Sequence, residues 1–371
     1  MKKVLTILGT RPEAIKLAPV IKELENRSHY FESAVLATGQ HDELLDQMLD
    51  VFHIQPDHNL RIMQNHQTLT DLTARLLPGI EKMIMKFRPH VILVQGDTTT
   101  VFAASLAAFY NRIEIGHVEA GLRTNDKYQP FPEEINRRLT DQMADYAFAP
   151  TEEARKNLLK SGIPAGRIFV TGNTVIDALK LVSKADQREK LDGLPPLRKH
   201  MILITAHRRE NFGTPLMNVF LAVKKLAKEM TDTSFVYPVH PNPQVFGMAH
   251  EMLSGIPNVH LIEPVGYIDF VWLMRRSHII LTDSGGIQEE APSLHKPVLI
   301  LRNKTERPEA VKAGGAKLVG TSPIKIIRET RRLMTNIDHY NCMAYISNPF
   351  GDGTAAARIA DILEGRSCPK T

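Results

Sequence analysis

The sequence predicts an α/β protein built on two parallel sheets, each covered by helices on both faces. Short runs rich in Val, Ile and Leu alternate with amphipathic helical patterns almost from end to end, as expected for parallel sheets covered on both faces. Eleven such runs are too many for one comfortable sheet. At 371 residues the chain also exceeds one ordinary core.

In order, the strand candidates of the first half are 4–8, 33–38, 91–94, 113–118, 146–149 and 168–171. Those of the second are 201–205, 234–239, 259–262, 279–282 and 298–301. Helical spacing of apolar residues fills the intervals, for example 13–25, 98–110, 216–230 and 267–276. Gly172-Asn173-Thr174 closes the first series, and 174–184 reads as a helix leading onward. The expected domains are therefore 1–172 and 173–352, with a last helix in 353–371 packing back on the first.

Composition narrows the function classes. Hydrophobic content of 43% with 23% charged residues is globular. No run approaches the roughly 20 apolar residues of a membrane helix. The opening Met1-Lys2-Lys3-Val4-Leu5-Thr6-Ile7-Leu8 is too short for a secretory signal and reads as a buried strand, so a cytoplasmic location is expected. The net charge of +5 is scattered, without the clustered stripe or motif of a nucleic-acid binder, and suits an anionic small substrate. Cys342 and Cys368, the two cysteines, have neither disulfide nor zinc spacing.

Ligands of open parallel sheets bind beyond the carboxyl ends of the strands. Those positions hold Gly9-Thr10-Arg11-Pro12-Glu13, Gln95-Gly96-Asp97 and Glu119-Ala120-Gly121 in the first half. In the second they hold His207-Arg208-Arg209-Glu210, His240-Pro241 and Asp283-Ser284-Gly285-Gly286. Small residues at Ser284, Gly285 and Gly286 let a phosphate approach free N–H groups at a helix start, with Glu290 further along for ribose hydroxyls. A plain N-cap at Ser284 fits the same pattern. Arg11 and Lys16 put cations beside the first turn, which lacks both GxGxxG and GK[ST], so NAD and ATP fit poorly.

Asp97, Glu119, Glu133 and Glu134 supply carboxyl groups whose pKa values can be pushed apart, one accepting a proton and another donating it. Asp97 also fits as a helix cap, and Glu133 as a first-turn residue after Pro132. His117-x-Glu119 lacks a third ligand at metal spacing. His207 and His240 read as phosphate donors, proton handlers or satisfied buried histidines.

These segments resemble the non-hydrolysing UDP-N-acetylglucosamine 2-epimerases over essentially the whole chain. The matches are Gly9 to Glu13 (GTRPE), Gly96-Asp97, Glu119 to Arg123 (EAGLR), Pro130 to Glu134 (PFPEE), His207 to Asn211 (HRREN), Asp283 to Glu290 (DSGGIQEE) and Thr305 to Glu309 (TERPE). The resemblance implies two Rossmann-like, doubly wound domains facing a cleft in a glycosyltransferase-B type arrangement, with 173–352 binding UDP, a homodimer, and no metal or redox cofactor. It implies elimination of UDP from UDP-N-acetylglucosamine through 2-acetamidoglucal and re-addition to give UDP-N-acetylmannosamine, supplying surface polysaccharide. It puts Asp97, Glu119, Glu133 and His207 in the reacting set, with the choice of proton acceptor open. Arg11 and Lys16 face the reacting end, and Ser284, Gly285 and Gly286 hold the diphosphate. Glu290 takes the ribose, Arg307 adds a charge, and Tyr267 borders the uracil. Gln40, His41, His66, Gln67, Arg208 and His240 match positions of a second, activating substrate site. There Glu43 and His66 depart from the Gln and Arg common in the family, and loss of a permanent cation weakens anion binding. The alternatives are a hydrolysing epimerase, disfavoured by Pro12, a retaining glycosyltransferase, and a silent nucleotide-sugar sensor.

Overall fold

A computed structural model describes residues 1–39, 42–64, 67–186 and 188–365. The chain divides into two compact units: Met1–Leu181 together with the chain from Phe350 onward, and Val182–Pro349. The division falls inside the helix Thr174–Ala185 rather than at Gly172.

Unit 1 holds strands β1 (Lys2–Leu8), β2 (Phe31–Ala37), β3 (His58–Asn59), β4 (Val91–Gln95), β5 (Glu114–Val118), β6 (Tyr146–Ala149) and β7 (Ile168–Val170). They form one parallel sheet in the order β3-β2-β1-β4-β5-β6-β7. Leu5, Ile7, Ile92 and Val94 are fully buried, as continuous apolar runs require when helices cover both faces. Each such side chain contributes roughly 1.5–3 kcal/mol by leaving water.

Helix α1 (Arg11–Asn26) shows how the turns are built. Pro12 sits where a missing N–H costs nothing, and the buried Glu13 carboxylate accepts from Gly9 N (2.6 Å) and Thr10 N (3.2 Å). Gly9 has no room for a Cβ, which would collide with the hydroxyls of Thr38 and Thr100. The last described helix, Ala355–Leu363, packs on α1, where Arg27 reaches Asp361 (2.6 Å) and Glu364 (2.7 Å).

Unit 2 repeats the plan with β8 (His200–Thr205), β9 (Thr233–Pro238), β10 (Val259–Ile262), β11 (Ile279–Thr282), β12 (Val298–Ile300) and β13 (Ala316–Leu318). The order is β10-β9-β8-β11-β12-β13, again all parallel. Among the described residues there are thus thirteen strands rather than eleven. The two unforeseen ones, β3 and β13, are sheet edges of two and three residues, too short to print a periodic signal.

In each unit the strand order reverses once, between β1 and β4 and between β8 and β11. The carboxyl ends of those neighbours leave a crevice that no connection crosses. No helix among the described residues is long and apolar enough to cross a membrane.

Candidate functional site

At the first reversal, the residues leaving β4 and β5 bring the acids together. Gly96 turns at φ +81°, leaving the Glu119 carboxylate over it: an added Cβ there would lie 3.9 Å from Glu119 Oε2. Glu119 itself is left-handed at φ +67°, an uncommon conformation for a residue with a side chain, which sends its carboxylate inward. Lys16, one turn into α1, donates to Glu119 Oε1 at 2.5 Å. Gln95 donates to Oε2, and Asn173 to Oε1 at 3.3 Å.

Asp97 is held by Arg137 through its carboxylate and by Asn136, which donates to its carbonyl at 3.0 Å. Both partners lie on helix Glu133–Met143, one turn after Glu133 and on its face. Asp97, Glu119 and Glu133 therefore converge on one corner of unit 1. Helix Thr99–Tyr110 is capped by Thr98, whose hydroxyl accepts from Val101 N at 3.3 Å, so Asp97 is not spent as its cap.

The acid pair 133–134 separates by environment. Glu134 is fully buried and accepts from Thr124 N (3.0 Å), Asn125 N (3.3 Å) and Arg138 (2.9 Å). Burial alone would raise its pKa, but these donors and Arg137 outweigh it and hold the group below the usual range. Glu134 thus folds the preceding loop. Glu133 Oε2, by contrast, is buried and makes no hydrogen bond among the described residues, which is uncommon for a buried polar atom.

His117 is a structural residue: Nε2 donates to Gly96 O and Nδ1 meets Asp141 Oδ1, both at 2.7 Å, with Arg123 on the other Asp141 oxygen. Among the described residues, no group of three or more His, Cys, Asp or Glu is arranged to hold a metal ion.

At the second reversal Asp283 is the organising group. Fully buried, its Oδ2 accepts from His207 N (2.9 Å), Arg208 N (2.8 Å) and Asn211 Nδ2 (3.1 Å), fixing the turn after β8. His207 Nδ1 lies 3.6 Å from the other oxygen, and its ring stacks on His240 at 5.2 Å and 7°. Burial lowers the His207 pKa, as do His240 and Arg208, while Asp283 opposes them. His240 Nδ1 accepts from Asn242 N at 3.1 Å, leaving its proton on Nε2.

Ser284 precedes helix Gly285–Glu290 but makes no side-chain cap bond. A Cβ on Gly285 would lie 3.8 Å from Arg208 Nη2, and one on Gly286 would meet nothing, so both amides are approachable. Side-chain links tie the 305–307 loop to this helix: Thr305 donates to Gln288 at 2.6 Å, and Arg307 pairs with Glu289. Tyr267 OH donates to the buried Glu290 at 3.3 Å.

Arg11 opens α1, at the turn that carries Glu13. Gln67, just before helix Leu69–Phe87 in the same unit, accepts from Arg75 in the second turn of that helix. Gln40, His41 and His66 lie outside the described residues, as do Cys368 and the Glu43 side chain. Gln95 and Asp283 stood in the strand-end segments without a role of their own, Arg137 lies one turn from Glu133, and Asn173 stood only in the turn that closes the first strand series. Chemically, unit 1 offers a lysine and several carboxyl environments for moving protons, and unit 2 offers amides, arginines and a neutral-leaning histidine for an anion.

A family model described as UDP-N-acetylglucosamine 2-epimerase matches residues 22–364. The UDP-N-acetylglucosamine 2-epimerase of Salmonella typhimurium is 52% identical over 370 residues, covering 98% of each chain. A crystal structure of UDP-GlcNAc 2-epimerase from Neisseria meningitidis, bound to UDP-GlcNAc, has a TM-score of 0.87 at 49% identity, covering 98% of this chain and 100% of that one. The Methanocaldococcus jannaschii enzyme, solved with UDP-GlcNAc and UDP, has a TM-score of 0.78 at 36% identity over 97% of this chain and 99% of its own. On this match across the whole length, the chain belongs to the UDP-N-acetylglucosamine 2-epimerase family of isomerases.

Proposed function

We propose that the protein interconverts UDP-N-acetylglucosamine and UDP-N-acetylmannosamine without net hydrolysis. A base removes the C2 proton, the C1–O bond breaks, and UDP leaves with the bonding pair, giving 2-acetamidoglucal. A proton then returns to the opposite face of C2, and the diphosphate oxygen re-forms the bond at C1. The single observation that carries this reading is the convergence of Asp97, Glu119 and Glu133 at the β4 and β5 ends, with a buried Glu133 oxygen that makes no hydrogen bond among the described residues. Acids in distinct environments suit a proton removed from one face and returned to the other.

In this reading Asp97, Glu119 and Glu133 surround C2 and C3, and Lys16 and Arg11 face the reacting end. Ser284, Gly285 and Gly286 take the diphosphate with Arg208 and His207, Glu290 the ribose and Tyr267 the uracil, while Arg307 braces the helix through Glu289. His240 and Arg208 adjoin His207 and Gly285, which supports a contribution to substrate activation. The same reading makes the protein a cytoplasmic homodimer supplying surface polysaccharide. Exposed Phe109, Tyr110, Phe131, Ile135 and Leu139, on or beside two adjacent helices of unit 1, favour a second copy as the partner.

The test is incubation with UDP-N-acetylglucosamine in heavy water, followed by NMR. The expected product is UDP-N-acetylmannosamine with deuterium at C2 and an intact nucleotide–sugar bond. Free N-acetylmannosamine plus UDP would establish the hydrolysing alternative instead, and absence of isotope at C2 would remove the elimination route.

A further inference from the structure

Asn173 was legible in the sequence only as part of the turn that closes the first strand series, yet the fold engages both its backbone polar groups and both ends of its side-chain amide. It is 3% exposed. Its N–H donates to Phe350 O at 2.7 Å, and its carbonyl accepts from Ile176 N at 3.1 Å. Its Oδ1 accepts from Val175 N at 3.1 Å, and its Nδ2 donates to Glu119 Oε1 at 3.3 Å. The amide orientation follows from chemistry: Val175 offers an N–H, so the oxygen must face it and the NH2 must face the carboxylate.

The two chain passages that bound unit 1 meet here. The chain leaves through helix Thr174–Ala185 and returns at Phe350. Gly172 and Gly351 press together so closely that a Cβ on Gly351 would lie 3.3 Å from Gly172 Cα, and Gly351 sits at φ +128°. Asp177 adds a second link by accepting from Ala356 N at 2.9 Å. Thus one buried amide connects an acid of the candidate site to the start of the outgoing helix and to the returning chain.

We infer that Asn173 is a positioning residue for the epimerisation: it holds Glu119 Oε1 beside Lys16 in register with the returning chain at Phe350. It acts through Glu119 and touches no reacting atom, so the inference rests on the proposed role of Glu119 at C2.

The test compares wild type with Asn173→Asp and Asn173→Ser. Aspartate keeps the shape, the acceptor for Val175 and the backbone bond to Phe350, but sets a second carboxylate against Glu119. Serine keeps a helix-capping oxygen and removes the amide donor. The expected kcat falls about 30-fold for Asn173→Asp and about tenfold for Asn173→Ser, with KM within about twofold of wild type. The acid limb of the kcat–pH profile of Asn173→Asp moves up by about one unit, because adjacent carboxylates retain a proton.

A second measurement reads the contact without catalysis: thermal midpoints of Asn173→Asp, Glu119→Gln and the double variant. Asn173→Asp loses about 3 °C at pH 8, most of which returns in the double variant, where Glu119→Gln supplies an NH2 to the new carboxylate. A wild type without epimerase activity sinks the functional reading, while the midpoints still decide the contact. An active wild type with additive midpoints, or Asn173→Asp with the wild-type kcat and pH profile, overturns the positioning role.

Discussion

Lys16 and Glu119, 103 residues apart in the chain, form an ion pair with Nζ 2.5 Å from Oε1 and both side chains largely buried. Removing one member leaves a desolvated charge, a larger loss than the pair's own net worth. Lys16→Met is expected to destabilise unit 1 by about 3 kcal/mol in urea denaturation. The Lys16→Met/Glu119→Gln double variant recovers most of that loss, and an additive double variant would contradict the pairing.

Glu133 and Glu134 are neighbours with opposite expected phenotypes. Glu133→Gln removes an acid whose buried Oε2 makes no hydrogen bond among the described residues, so kcat falls by about 10³-fold with the thermal midpoint held. Glu134→Gln strips a carboxylate from two backbone N–H groups and Arg138, so the midpoint falls first. Equal effects of the two variants on midpoint and rate would refute the division of labour.

Glu13 makes stability depend on pH. Burial pushes its carboxyl from 4.5 up to about 7, against the opposing hydrogen bonds from Thr98, Gly9 and Thr10. Between those values the folded protein binds more protons than the unfolded chain, so stability falls as pH rises through the window. The loss amounts to about 3 kcal/mol once pH exceeds 7. Urea midpoints at pH 5 and pH 8 therefore show Glu13→Gln gaining on wild type as pH rises, and parallel behaviour of the two would exclude the effect.

His207 titrates below its usual 6.5 because burial, then His240 and Arg208, disfavour the cation more than Asp283 favours it. The folded protein binds fewer protons at this ring than the unfolded chain, so the contribution to stability is present above pH 6.5 and lost as pH falls below it. An NMR titration of His207 should move upward in His240→Phe, which keeps the stack and removes the repulsion, and further downward in Asp283→Asn. A midpoint indifferent to both substitutions would refute this account.

Association is tested on the exposed apolar residues of unit 1. Ile135 and Leu139 are one turn apart on helix Glu133–Met143, and Phe131 lies just before it. Leu139→Glu should convert a dimer to a monomer in sedimentation equilibrium, with unit 1 still folded by circular dichroism. A wild type that sediments as a monomer would remove the proposed second copy.

Much of this molecule could be read from its residues in order. Apolar runs marked eleven strands, and the short polar stretches after them marked the strand ends that the two sheet reversals bring into play. The edge strands β3 and β13 escaped because two or three residues cannot establish a period. The contact division falls inside helix Thr174–Ala185, where a continuous helix carries no compositional break to mark it in the sequence.

Two parallel sheets were thus decided by linear order, since hydrophobic periodicity is a local property, and the family was marked by its seven motif segments. Partnership was not. That Glu134 is consumed by its own loop while Glu133 Oε2 is buried without a hydrogen bond among the described residues, that Asp283 organises His207, and that Asn173 grips Glu119 from 54 positions away became visible only in the folded chain. The reason is physical: a parallel sheet joins strands through long crossovers, so the neighbours of a strand-end side chain come from whichever strands lie alongside, and spacing along the chain does not encode that choice.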